Sequence, residues 1–368
     1  MSNPQRVLVV GGGIAGLATA RALLRRGVEL DVVERGDSWS HPGAGVYLPA
    51  NAVRALGALG LHDRFLDSAC QITRQRFQDR RSRVLLEVDL PAVWGATGPC
   101  AAISHSDLHE LLREGIPVRH GTTVTALEEQ GPRVHAVFDD GSGGDYDLVV
   151  GADGVRSWVR TVVFRGARPR FLAQASWRFI VDDIGEISAW TVQLGRKRAF
   201  LMIPLGRGRI YCYADLDAPA AFDPAAGDPA RLAELYGEFA EPVPTIVHEL
   251  LDTGSSPHFS PIQEVVQTPW VSGRVVLVGD AAHAMSPNMA EGVGMALEDA
   301  IVLAQTMAAE RPLHDYEARR RHRVRFVQTQ THRRDRTRNL TSLVRDASLR
   351  IAGQRIFRSN YHALLREP

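Results

Sequence analysis

Gly11, Gly13 and Gly16 stand in the order G-x-G-x-x-G directly after the apolar run RVLVV, and Glu34 closes the next apolar run. Glycines at that spacing let the backbone approach a pyrophosphate, and they let the following helix pack closely on its strand with its positive N-terminus facing the phosphates. A carboxylate in the place of Glu34 accepts hydrogen bonds from a ribose 2′-hydroxyl and disfavours a 2′-phosphate, which is the chemistry of FAD or NAD rather than NADP. A glycine turn by itself is also read as tight packing. The strand, helix and acid around this one favour a dinucleotide. Two more glycine and acid turns follow apolar runs, GADGVRSWVR at 151–160 and GDAAHAMSPNMAEGVGMALEDA at 279–300.

The elements that must carry these turns are legible from hydrophobic periodicity. Residues 6 to 35 form a strand, glycine turn, helix and strand, a complete βαβ unit. Residues 74 to 90 predict a hairpin turning near Asp79 to Ser82, and Ser104 with Asp107 marks the capped start of a helix. Between about Arg165 and Trp270 come the short aromatic strands SWRFIV, AWTVQL, RAFLMIPL and RIYCYADL, read as an antiparallel sheet roofing a pocket. Trp177 with Phe179, Phe200 with Met202, and Tyr211 with Tyr213 each alternate onto one face and are candidates to wall that pocket, with ordinary core packing as the competing reading. The strand GRVVLVGDAA leads back, and the remainder is helical. Its arginine-rich run EARRRHRVRFVQTQTHRRDRTR is read as a solvated helix face before a membrane contact.

The fold class expected is α/β: a Rossmann-like nucleotide domain, an inserted antiparallel-sheet substrate domain and C-terminal helices. The expected division is 1–72, 98–165 and 271–310 for the nucleotide domain, 73–97 and 166–270 for the substrate domain, and 311–368 for the helical segment.

Composition narrows the class further. The 368 residues carry 43 basic and 42 acidic side chains, a net charge of +1, which supplies no field to attract nucleic acid. Lys197 is the only lysine, a bias assigned no chemistry. Cys70, Cys100 and Cys212 lack disulfide or zinc spacing, and His105 with His109 has no third ligand, so no metal site is expected. With no signal peptide or apolar run of bilayer length, the expectation is a cytoplasmic protein without stable membrane insertion. Oligomeric state is left open.

The three glycine segments together resemble the para-hydroxybenzoate hydroxylase family, the single-component group A flavoprotein monooxygenases, over essentially the whole chain. GAGVYLPANAVRALGALGL and SWRFIV are similar to the branch holding salicylate, urate and alkylquinolone hydroxylases. The resemblance implies FAD as cofactor and NADPH or NADH as a transient electron donor bound on the surface without its own domain. It implies that dioxygen adds at the flavin C4a, the hydroperoxide then hydroxylating an electron-rich ring. By the same resemblance Asp280 meets the ribityl chain, Gly279 permits the close turn, and Pro287 stands near the flavin ring. Backbone donors at Gly292, Val293 and Gly294 aim at its N1–C2 edge. Asp153, Gly154 and Arg156 match the middle motif, which serves both flavin and nicotinamide. Further cofactor contacts are implied at Ile14, Ala15, Arg35 and Val124.

Two departures stand out: His105 occupies a place where relatives carry an arginine touching FAD, and Ala290-Glu291 with Gly294 replaces the usual Gly-Gln pair and asparagine. Arg198 is the candidate catalytic charge, because RKRAFLMIPL resembles the family strand whose arginine meets the flavin; a solvated strand arginine is the alternative. Tyr47 and Met289 are additional substrate candidates. With few charges in this set, the expected substrate is a small, largely apolar aromatic or heteroaromatic molecule. Epoxidation, Baeyer–Villiger insertion and flavin reduction without oxygen transfer remain alternative outcomes on the same cofactor.

Overall fold

The computed structural model describes residues 6–38, 44–166, 168–184, 187–218, 223–266 and 269–368. The apolar run Arg6–Val10 lies at the centre of a six-stranded sheet, flanked in parallel by Leu148–Gly151 and Glu29–Val33. Four of its five residues are buried, as expected of a strand covered by helices on both faces. Val275–Leu277 and Val118–Arg119 extend the sheet in parallel, so three glycine turns leave the same carboxyl edge from strands far apart in sequence. Helices Ile14–Leu24 and Gly292–Ala308 pack against one another beside it.

A seven-stranded sheet forms the second layer. Its order is His258–Glu264, Arg170–Asp182, Arg209–Asp217, Arg198–Gly206, Trp190–Leu194, Arg74–Asp79 and Val84–Asp89. The hairpin at 74–89 joins by a parallel pairing with Trp190–Leu194, and its turn is closed by Asp79, whose Oδ1 accepts from the Arg81 and Arg83 N–H groups at 2.9 and 3.0 Å.

Cross-strand register assigns the two faces. Trp177 and Phe200 both lie opposite Ala214, while Phe179 and Met202 lie opposite Cys212, so these four side chains share one face. Helices Pro229–Tyr236 and Val243–Asp252 cover it, and Leu232, Tyr236, Val243, Ile246 and Leu250 complete an apolar core of its own. Phe179 and Phe200 meet edge-on at 6.2 Å, Phe200 meets Tyr236 at 5.4 Å, and the Trp177 indole donates to the Gly227 carbonyl at 2.9 Å. Each large side chain buried this way contributes about 1.5 to 3 kcal/mol.

Arg178 and Leu201 lie opposite Tyr213, and Ile180 and Ile203 opposite Tyr211; these point the other way, toward the nucleotide layer. The six-residue pocket wall expected from sequence therefore divides. Tyr211 and Tyr213 face the nucleotide layer, whereas Trp177, Phe179, Phe200 and Met202 belong to a separate core. Alternation says which residues of one strand share a face; only register says which face that is.

Arg198 goes with the far group. It pairs across from Leu216, forms an ion pair with Glu238 and lies 5.8 Å from the Phe239 ring centroid, on the helix-covered side. The expectation that it meets the flavin is corrected by the same register argument.

Two helices close the chain, Leu313–Arg338 and Ser342–Tyr361. The last packs on Val84–Asp89, where a Cβ at Gly353 would come within 2.8 Å of Leu86. Phe357 meets Phe77 at 6.5 Å and Tyr361 at 4.9 Å.

Candidate functional site

The first glycine turn has no room for side chains on one side and open space on the other. A Cβ at Gly11, which sits at φ +113°, would lie 2.5 Å from the Ala152 carbonyl oxygen, and one at Gly16 would overlap the carbonyl of Gly11. Around Gly13 nothing lies within 4 Å of a Cβ position, and no side chain caps the helix that starts at Ile14. Its first N–H groups are available to an anion. Glu34 is aimed at the turn by two backbone donors, Gly12 N–H at 2.8 Å and Gly36 N–H at 3.0 Å. A ribose hydroxyl can still reach its remaining lone pairs.

His109 braces the same turn, its Nε2 lying 2.8 Å from the Gly12 carbonyl oxygen. An imidazole can meet a carbonyl only as donor, and burial lowers its pKa, so the neutral ring with a proton on Nε2 fits. Nothing in the sequence signals this bracing role. Ser104 caps the helix that carries it, accepting from Asp107 N–H at 3.0 Å. His105 is half-buried at the start of that helix, Ala15 half-buried at the glycine turn, Val124 buried beyond Thr122, and Arg35 exposed.

The middle and last turns meet the first across the carboxyl edge. Asp153 Oδ2 accepts from Trp158 and Val159 N–H at 2.7 and 3.0 Å, while its buried Oδ1 has no partner; burial pushes this carboxyl upward. Gly154 opens on free space at φ +77°, and Arg156 is exposed. Arg160, fully buried, links the two turns by donating to Ala281 and Val155 carbonyls at 2.8 and 2.7 Å.

Gly279, at φ +58°, leaves no space for a Cβ, which would approach Ala15 to 2.7 Å. The adjacent Asp280 is exposed, and its carboxylate makes no hydrogen bond among the described residues. Its protein surroundings raise its pKa, and the charges of His283 and Arg178 oppose that rise. Pro287 is half-buried and opens a short turn to Met289, after which helix Gly292–Ala308 begins without a side-chain cap. A polyhydroxylated chain with a pyrophosphate fits this set: open N–H groups at two helix starts, a free carboxylate between them, and glycines where a side chain would intrude.

The two departures at this helix compensate one another. A Cβ at Gly294 would lie 2.7 Å from Glu291 Oε2 and 3.3 Å from the Asn51 amide nitrogen, so Glu291 and Asn51 occupy the space that a larger residue at 294 would need.

Beneath lies a buried ionic cluster that sequence reading missed entirely. Asn51 donates to Glu291 at 3.0 Å and Glu298 at 3.2 Å; Arg320 bonds Glu298 at 2.6 Å and Asp299 at 2.8 Å. Arg323 grips Glu298 with two bonds of 2.7 and 2.8 Å, and Asp299 also holds His283 at 2.6 Å and Gly279 N–H at 2.9 Å. Attraction to His283 and Arg320 outweighs burial and draws Asp299 below its ordinary range. Glu291 has one bonded oxygen and one without a partner; burial, with the charge of Glu298, pushes it up to about 8. The adjacent acids in MALEDA and the arginines of EARRRHR were the available signal.

On the facing sheet stands Arg178, also missed although it lies within SWRFIV. Its guanidinium is 5.8 Å from the Tyr213 ring centroid and donates to Ser260 Oγ at 3.3 Å; no carboxylate pairs with it among the described residues. Tyr211 packs directly against Gly45, where a Cβ would overlap its ring. Tyr213 is buried with an unpartnered hydroxyl, and burial raises both phenols, Tyr211 to about 12. Tyr47 and Met289 are buried nearby in the same core. Met289 is tied to the last helix by its carbonyl, which accepts from Tyr361 hydroxyl at 3.3 Å.

The arrangement defines a flavoprotein, with a dinucleotide cradle on a parallel sheet and a second sheet facing it. Comparison with known proteins supplies the family: residues 5–331 match the FAD binding domain family, and the chain belongs to it. It is 32% identical to 3-amino-4-hydroxybenzoate 2-monooxygenase of Streptomyces platensis over 354 residues, covering 92% of this chain and 88% of that protein. It is 30% identical to 2-heptyl-3-hydroxy-4(1H)-quinolone synthase of Pseudomonas aeruginosa, covering 88% and 87%. Among solved structures, Klebsiella pneumoniae HpxO complexed with FAD and uric acid superposes with a TM-score of 0.88 at 26% identity, over 99% of this chain and 97% of that one. The chain is a single-component FAD-dependent monooxygenase.

Proposed function

We propose that this enzyme hydroxylates a small, largely apolar aromatic or heteroaromatic ring, drawing two electrons from NADPH or NADH and placing one atom of O2 in the product and the other in water. The observation that carries the reading is the sheet face turned toward the nucleotide layer, where the Arg178 guanidinium lies over the Tyr213 ring and its charge acts on Asp280. Bound there, FAD supplies electron storage and oxygen activation. Gly11, Gly13, Ile14, Ala15 and Gly16 hold the pyrophosphate. Glu34 holds the ribose, and Asp280 the ribityl hydroxyls. Donors at Gly292, Val293 and Gly294 stabilise negative charge at the ring edge.

Arg178 takes the part first given to Arg198: its guanidinium, lacking a carboxylate partner, steadies an anionic oxygen of the substrate. The apolar side chains around the tyrosines exclude water, which protects the oxygenating species from wasteful breakdown. The nucleotide part is assigned to 1–72, 98–165 and 271–310, the substrate part to 73–97 and 166–270, and the last helices to 311–368. The reaction is placed in the cytoplasm; no helix among the described residues is long and apolar enough to cross a membrane.

The test is a panel of aromatic compounds scored for stimulated NADPH and NADH oxidation, with peroxide measured alongside and isotopic O2 supplied. Label in a hydroxylated product is the expected result. Reduction of a substrate double bond without label would overturn it.

A further inference from the structure

The last helix, Ser342–Tyr361, presents two unlike faces. Inward it buries Arg345, Gly353, Phe357 and Tyr361 against the seven-stranded sheet and the Met289 turn. Outward, Leu343 is 87% exposed, Ile351 86% and Val344 56%, and Leu340 just before the helix is 40% exposed. At 3.6 residues per turn, positions 343, 344, 347 and 351 fall on one side, and the exposed Arg350, Arg355 and Arg358 border them. Asp346 is the helix's one acid and is bonded to Arg345 at 2.9 Å, so the exposed arginines have no acid of their own helix to answer them and form no ion pair among the described residues. Single exposed apolar residues are ordinary on a protein surface; a stripe of them interleaved with cations is a different object.

We propose that this face docks on the anionic surface of a lipid bilayer. Leu343, Val344 and Ile351 enter the boundary between headgroups and acyl chains, and Arg350, Arg355 and Arg358 meet lipid phosphates. Charge argues for this occupant, because three exposed arginines with no ion pair among the described residues complement an anionic surface. The contact is peripheral: the helix lies in the interface plane, and its inner face stays packed on Phe77 and the Met289 turn through Phe357 and Tyr361. Docking thus sets the lipid phase one helix thickness from the site, where an apolar substrate accumulates.

The FAD-loaded enzyme is sedimented with vesicles of phosphatidylcholine alone and with phosphatidylglycerol added. Binding at least about tenfold stronger to the anionic vesicles, weakened by salt, is expected. The double variant L343D/I351D should lose binding to both vesicle types, and R350E/R355E/R358E should lose the preference for phosphatidylglycerol. Bound FAD absorbance and melting temperature are followed in each variant, since these exposed positions leave the fold unchanged. Equal recovery with and without anionic vesicles overturns the proposal. So does a concentration-independent dimer that L343D/I351D dissociates, which would assign the face to a second copy. Neither readout depends on which substrate is hydroxylated.

Discussion

The two faces of the seven-stranded sheet are built from the same strands and differ in nearly every physical respect. The far face is mostly hydrocarbon and aromatic, lies under two helices with its one indole N–H satisfied, and carries Gln193 and the Arg198–Glu238 pair toward one end. The near face carries two buried phenols, a guanidinium without a carboxylate partner and Ser260. Packing explains most of the first, whose unpartnered atoms, Gln193 Oε1 and Arg198 Nε, lie away from its aromatic centre. The second leaves polar atoms without protein partners, at a cost of roughly 1 to 3 kcal/mol for each buried group left unmade. A face that tolerates such groups is shaped for something other than itself.

Trp177→Ala tests the far face hardest. It should cost about 3 to 5 kcal/mol in denaturant unfolding, while the protein that remains folded keeps its FAD; a loss of turnover without loss of stability would erase the distinction between the faces. On the near face the balance reverses. Arg178→Ala should change stability by less than about 1 kcal/mol yet lower coupled hydroxylation about a hundredfold, seen as peroxide replacing product in an oxygen-uptake assay.

Glu291 extends the contrast to the buried cluster beneath the cofactor cradle, and it works through pH. Its pKa is raised from an ordinary 4.5 to about 8 by burial, so between those values the folded enzyme holds a proton that the unfolded chain has released. Stability must then fall as pH rises through that window and level off above it, by up to about 1.4 kcal/mol per pH unit. Glu291→Gln should flatten this slope, read from thermal melts at pH 5 and pH 8 (about three units apart). The smallest effect is expected at Arg198→Ala. A half-exposed pair with Glu238 is worth about 0 to 1 kcal/mol, and steady-state turnover should be unchanged; a large fall in kcat would return Arg198 to the reacting groups.

Much of the flavin half was legible because its signals are local. RVLVV, the glycine turn and Glu34 lie within one βαβ unit, and each residue's task follows from backbone geometry that any such turn requires. The hairpin at Asp79 and the Ser104 cap were readable for the same reason: a side chain bonds a backbone group a few residues away. The sheet was read correctly strand by strand and incorrectly as a surface. Nothing within SWRFIV or RAFLMIPL states that Trp177 and Phe200 meet at Ala214, since register is fixed by pairings between strands. Arg178 was hidden behind its aromatic neighbours on that account. The cluster of Asn51, Glu298, Asp299, Arg320 and Arg323 escaped for a related reason: its members come from three helices, and each alone reads as an ordinary polar surface residue.

The strand order of the parallel sheet carries a consequence for how the protein is made. The central strand at residues 6–10 waits for one neighbour at 148–151, the sheet's next strand at 275–277 comes later still, and the ionic cluster under the cofactor cradle closes only with Arg320 and Arg323. A chain leaving the ribosome from its N-terminus exposes the glycine turn first and completes its surroundings last. Capture of FAD is therefore a late event in biosynthesis, and the nascent chain carries an unfinished cradle through most of its translation.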